Sequence, residues 1–166
     1  MVRTEISLFL KNVPGELGKL TALLGEAKIN IDAITIQDAS SYVKELFKAR
    51  GRSLKRIASA ASYSSMSKDS ADFALIRLLP SHGTINQAID LLTEHDYLFD
   101  MMPVIAVTLT NKPGEISRIA GKLGEAGINI NYVYGSAVNA DQPCLFVFCP
   151  DDIDLAAKVF KEYNPN

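Results

Sequence analysis

The sequence predicts an α+β protein built from two copies of one unit, and three observations lead there. The first is an internal repeat. Residues 10–31 (LKNVPGELGKLTALLGEAKINI) and 109–130 (LTNKPGEISRIAGKLGEAGINI) agree without a gap at 12 of 22 positions. Most mismatches exchange like for like, as Leu17 with Ile116, Lys19 with Arg118 and Leu20 with Ile119. The second is a change of offset from 99 to 68, since Ile85, Ala88, Ile89 and Leu92 correspond to Ile153, Ala156, Ala157 and Phe160. The first copy therefore holds about 31 extra residues between positions 39 and 84. The third is a hydrophobic period that switches from two to 3.6 and back at the same places in both copies.

Each unit opens with a half-buried strand, because Ile6, Leu8 and Leu10 alternate with polar or exposed positions, as do Ile105, Val107 and Leu109. Pro-Gly at 14–15 and 113–114 signals a helix start. Leu17, Leu20, Leu24 and Ala27 then recur at helical spacing, matched by Ile116, Ile119, Leu123 and Ala126. Gly127 stands where a helix end favours a left-handed residue, so Lys28 at the matching place must carry strain or end its helix differently. Asn30 and Asn129 open a second strand. A third strand is expected over 73–79 and 144–149, and a second helix over 84–95 and 151–163. Two helices on one antiparallel sheet give the split βαβ, or ferredoxin-like, plan in each unit.

Residues 97–110 serve as a closing strand for the first unit and an opening strand for the second. The second unit ends three residues after Tyr163 and lacks its own last strand, so its open edge predicts a homodimer or higher homo-oligomer. The expected domains are 1–100, with an insertion at about 41–68, and 101–166.

Composition narrows the function. The chain has 166 residues, with 17 Lys+Arg against 19 Asp+Glu, too balanced for an electrostatic nucleic-acid binder. No apolar run approaches the roughly 18 residues that span a bilayer. Met1 to Pro14 contains no small-residue cleavage site, and a cytoplasmic location is expected. The charge is nevertheless segregated. Residues 41–68 hold seven basic residues and one acidic, a net +6, while the remainder holds ten basic and eighteen acidic, a net −8. Val43, Phe47, Arg50, Leu54, Ile57 and Ala61 are spaced for an amphipathic helix over 41–61, bent at Gly51, before a Ser-rich return over 59–70. Such a helix packs on the acidic body of its own molecule or its mate. The alternative is a structural interaction module that docks a protein, membrane or nucleic acid through it.

The strongest chemical motif is Asn-x-Pro-Gly-Glu. It sets the first backbone N–H groups of a helix beside a loop, an arrangement suited to a carboxylate. Asn12 lies at the helix entrance and Asn30 follows 18 residues later, a spacing repeated by Asn111 and Asn129. A helix and a reversing strand are expected to bring each pair near one edge of the sheet. An Asn amide offers two donors and an acceptor, enough to meet the carboxylate and the ammonium of a free amino acid. Glu16 and Glu115 work against an anion at the same helix start. Read without a ligand, the motif is a turn and helix cap inherited twice.

These residues carry a resemblance. Asn-x-Pro-Gly-x-Leu/Ile, a helix, and then Ile-Asn-Ile (Gly-Ile-Asn-Ile in the second copy) resemble the signature of ACT domains across nearly all of the chain outside 41–68. The resemblance implies two βαββαβ regulatory modules in tandem, without a catalytic domain. It further implies an amino-acid ligand at a domain interface and allosteric control of assembly or of a metabolic enzyme. The implied ligand-binding residues are Asn12, Val13, Pro14, Gly15, Glu16, Asn30 and Ile31. Their counterparts are Asn111, Lys112, Pro113, Gly114, Glu115, Asn129 and Ile130. Members that bind serine place a His two residues before the first Asn, where this chain has Leu10 and Leu109.

No catalytic or cofactor motif stands out. Gly15-Glu-Leu-Gly-Lys19-Leu20 has the wrong spacing for a phosphate loop and no Ser or Thr for magnesium. Cys144 and Cys149 are five apart on a strand, which turns them to opposite faces. His82 and His95 have no partners at metal-ligand spacing. No cofactor, no metal and no enzymatic activity are expected.

Overall fold

The computed structural model describes residues 1–39, 73–136, 139 and 141–163. The amphipathic helix and Ser-rich return expected within 41–70 lie outside these. The described elements are β1 (Val2–Lys11), α1 (Glu16–Glu26), β2 (Ile31–Asp38), β3 (Phe73–Pro80), α2 (Ile85–Glu94) and β4 (Phe99–Thr110). There follow α3 (Glu115–Glu125), β5 (Ile130–Ser136), β6 (Pro143–Pro150) and α4 (Ile153–Tyr163). The protein is α+β and its two units have the ferredoxin-like order of elements. The chain divides into Ile6–Met101 as one compact unit and Met1–Glu5 with Met102–Asn166 as the other.

In the unit Ile6–Met101 the strands lie in the order β2-β3-β1, all antiparallel. The alternation in β1 puts Ile6, Leu8 and Leu10 on one face, opposite Leu78, Ile76 and Ala74. That face meets Leu20 and Leu24 of α1 and Ala88 and Leu92 of α2, all fully buried. Burying each leucine contributes about 1.5–3 kcal/mol. Phe99, at the start of β4, packs against this core, so the end of the unit is supplied by the opening of β4.

The second unit repeats the plan with the order β4-β6-β5. Its core joins Ile105, Val107 and Leu109 to Ile119, Leu123, Phe148, Ala156 and Phe160, with the Phe148 and Phe160 rings 5.3 Å apart. Ile116 departs from the helical pattern, being 43% exposed. The buried seam of α3 is the central pair Ile119 and Leu123, and the helix ends overhang it. Even irregularities recur: β2 shifts register between Ile31 and Ala33, and β5 between Ile130 and Tyr132. Cys144 and Cys149 are buried free thiols, and the Cys144 thiol donates to Leu109 O at 3.3 Å.

No strand follows α4 among the described residues. Instead the first five residues of the chain belong to this unit, and Met1 O accepts a hydrogen bond from Ala106 N at 2.8 Å. The ten residues of β1 outrun the sheet of the first unit, which leaves this stub for the second. Glu5 is fully buried there, and a buried carboxylate needs donors. Tyr132 Oη donates to it at 2.5 Å and Tyr134 Oη at 2.7 Å. Burial, followed by the bonds to Glu5 and Cys149, pushes the Tyr132 hydroxyl far above the ordinary phenol range.

Both first helices end in the same turn. Ile29 N donates to Leu24 O and Lys28 N to Gly25 O, as Ile128 N does to Leu123 O and Gly127 N to Gly124 O. This is the Schellman pattern, and it needs a left-handed residue. Gly127 takes φ 74° and Lys28 takes φ 59°, so the lysine bears the strain.

Two predictions follow from these contacts. Lys28→Gly relieves a left-handed side chain worth about 1–2 kcal/mol against a glycine entropy cost of about 0.5–1 kcal/mol. The net gain should raise the melting temperature by about 1–4 °C, whereas Gly127→Ala should lower it; scanning calorimetry reads both. The Tyr132 hydroxyl has a folded pKa above its unfolded one, so its stabilisation is complete below about pH 10 and is lost as pH rises further. Tyr132→Phe should cost about 1–3 kcal/mol near neutrality, by leaving Glu5 short of a donor, and should flatten stability loss above pH 10. Urea melts at pH 7 and above pH 10 test both parts.

Candidate functional site

The chain passes from β1 to α1 through residues 12–15 alone. Gly15 takes φ 94°, a conformation that side chains other than glycine rarely adopt, and Gly114 repeats it at 88°. Lys19 N donates to Gly15 O at 2.9 Å and closes the first turn of the helix. The loop is thereby held out from the sheet, and beneath it lies an open cavity of about 340 Å3. Leu10 through Gly15, Leu17, Ile36 and Ala74 line it.

The cavity joins apolar walls to an exposed polar rim. Among the described residues, the Asn12 amide has no hydrogen-bond partner and the Lys11 ammonium has no ion pair. Glu16, expected to oppose an anion, is engaged elsewhere, its Oε1 lying 2.6 Å from Lys19 Nζ. That hydrogen bond holds the Lys19 ammonium above its usual range. Leu10, Lys11, Leu17, Ile36 and Ala74 were not foreseen as site residues.

Asn30 is not at this cavity. It follows the C-terminus of α1, whereas Asn12 precedes the N-terminus, and eleven residues of helix separate them by about 16 Å. The two asparagines of one unit thus do not meet. Asn30 Nδ2 donates to Ser81 Oγ at 3.1 Å and to Asp32 Oδ1 at 3.4 Å, while Ser81 Oγ donates to Asp32 at 2.6 Å. Ile31 packs against the core.

The second unit keeps the turn and changes its surroundings. Asn111 Nδ2 donates to Asn139 O at 3.0 Å, Asn111 N to Gln142 O, and Asp141 N to Asn111 O. Lys112 Nζ stands 4.0 Å from Asp141 Oδ1. Pro113 and Gly114 remain exposed. Glu115 accepts from the Tyr163 hydroxyl and lies 3.3 Å from Arg118 Nη1, whose guanidinium sits 5.3 Å above the Tyr163 ring. Burial and then the Glu115 bond push the Tyr163 hydroxyl up. A cavity of about 270 Å3 beside this cluster is lined by Thr108 to Thr110, Glu115, Arg118 and Tyr163, without Asn111 or Lys112. Asn129 again lies beyond the helix, with Nδ2 3.3 Å from Asn131 Oδ1 and its backbone N donating to Asp151 Oδ1, and Ile130 packs on the core.

Among the described residues no three His, Cys, Asp or Glu side chains group to hold a metal, and no helix is long and apolar enough to cross a membrane. His82 and His95 are exposed.

Solved structures share this architecture. A protein of Bacteroides thetaiotaomicron is 24% identical, with a TM-score of 0.70, over 98% of this chain and 89% of that one. The ligand-free regulatory subunit of aspartate kinase from Thermus thermophilus is 11% identical with a TM-score of 0.56, over 98% and 96%. A structure of aspartokinase alpha and beta subunits gives 14% and 0.53, over 98% and 94%. No protein-family model and no curated protein sequence matches the chain. The likeness is one of fold.

The bonding difference between the loops is directly measurable. Amide exchange followed by NMR should show Asn111 and Asp141 protected, with Asn12 exchanging at least tenfold faster than Asn111. Equal exchange at Asn12 and Asn111 would contradict the backbone bonds between Asn111 and residues 141 and 142.

Proposed function

We propose that the chain is a non-catalytic regulatory protein that binds a free amino acid at the strand-to-helix loop. The observation that carries this reading is the 340 Å3 cavity, where an Asn12 amide and a Lys11 ammonium without partners among the described residues stand over aliphatic walls. Its volume falls at the small end of the roughly 300–1,000 Å3 typical of ligand sites. An Asn amide complements both charged groups of an amino acid, and backbone N–H groups at the start of α1 favour its carboxylate. The resemblance to ACT domains and the fold shared with an aspartate kinase regulatory subunit support a controlling role rather than a chemical one.

The separation of Asn12 from Asn30 bears on mechanism. A ligand touching residues equivalent to both needs the loop end of one copy to face the Asn30 end of another. Binding would then favour an assembled state over a dissociated one, and the assembled state would act on a metabolic partner.

A thermal-shift series with the twenty amino acids and their 2-oxo acids tests the reading. A ligand at 100 times its dissociation constant adds about 2.7 kcal/mol. For a chain of this size the melting temperature should rise by about 5–10 °C for one coherent chemical group. No shift with any compound at millimolar concentration would contradict it.

A further inference from the structure

The two loops descend from one sequence, yet they are enclosed differently. In the second unit the Asn111 amide already donates to Asn139 O, the backbone of Asn111 is bonded in both directions to residues 141–142, and Lys112 faces Asp141. The groups that would meet a ligand's carboxylate and ammonium are satisfied within the protein. A second difference lies on the neighbouring strands. Ile36 pairs with Ile76 and Gly135 pairs with Phe146, which makes Gly135 the counterpart of the cavity wall Ile36. Phe146 lies so close to Gly135 that a β-carbon there would fall 2.4 Å from Phe146 Cδ1. An aromatic ring thus crowds the place where the first unit presents an aliphatic wall.

In the first unit neither closure is present among the described residues. Asn12 and Lys11 have no partner among these residues, and Leu10, Val13, Leu17, Ile36 and Ala74 face the cavity. A hydroxyl, carboxylate or ammonium placed against those walls would lose water and gain no partner, whereas an alkyl side chain loses nothing polar.

Resting on the reading of this loop as an amino-acid site, we propose that the two units are functionally unequal. Each chain binds one amino acid with an aliphatic side chain, in the first unit, and the second unit's loop is closed by its own Asn139, Asp141 and Gln142.

Isothermal titration of the full chain with L-leucine, L-isoleucine and L-valine, against L-serine, L-aspartate and L-lysine, tests the proposal. One equivalent of an aliphatic amino acid per chain is expected, with the polar three at least tenfold weaker. Asn12→Ala should weaken binding at least tenfold, while Asn111→Ala should leave it within twofold. Both residues are at the surface, and an unchanged circular dichroism spectrum and melting temperature confirm that each variant is folded. Two equivalents per chain, or loss of binding in Asn111→Ala but not in Asn12→Ala, would overturn the inequality while leaving the amino-acid reading intact. Preference for serine, aspartate or lysine would overturn the ligand class. Failure of all three aliphatic amino acids to bind would overturn the aliphatic site, and the amino-acid reading itself falls only if the thermal-shift series with all twenty is flat as well.

Discussion

The passage from strand to helix within four residues is the constraint on which the site and much of the packing depend. Gly15 and Gly114 turn the chain through a left-handed conformation, and that turn fixes the direction of the helix relative to the sheet. Only with this direction do Leu20 and Leu24 reach Ile6, Leu8 and Leu10, and Ile119 and Leu123 reach Ile105, Val107 and Leu109. The same turn places Asn12 and Asn111 outside the apolar core. Fold and site are therefore two results of one local geometry.

Duplication carried that geometry into both units, together with the register shift in the second strand and the Schellman ending of the first helix. The divergence that bears on the candidate site lies in what surrounds the turn. In one unit the loop overlooks aliphatic walls, and the Asn12 amide has no partner among the described residues. In the other it is bonded to the segment before β6, and Glu115 is held by Tyr163 and Arg118. A buried or bonded polar group yields little further energy to a ligand, because binding must first break what is already satisfied. The two copies of the motif, which differ at Val13 and Lys112, thus stand in different bonding environments.

Much of the fold was legible in the sequence because hydrophobic period and repeat point the same way. The strain at Lys28 was legible too, from the glycine that occupies its place in the second copy. The cavity walls were not. Ile36 and Ala74 reach the loop only through strand pairing, Ala74 opposite Leu10 and Ile36 two strands away, and register is a tertiary property. The first asparagine of each motif was placed correctly at a helix entrance. The expected convergence of Asn12 with Asn30 failed because an eleven-residue helix is as long as the distance it was expected to close. Likewise, the role of residues 1–5 in the second unit depends on strand length rather than on any local signal.

The most direct measurement is a nitrogen–proton correlation spectrum of the labelled chain during titration with L-leucine. The expected result is a saturable set of shifts at the amides of Leu10 to Leu17 other than Pro14, and of Ile36 and Ala74, with Asn111, Lys112, Gly114 and Glu115 unmoved. Shifts centred on Asn111 to Glu115, or no saturable shift anywhere, would contradict the placement of an amino-acid site at the first loop.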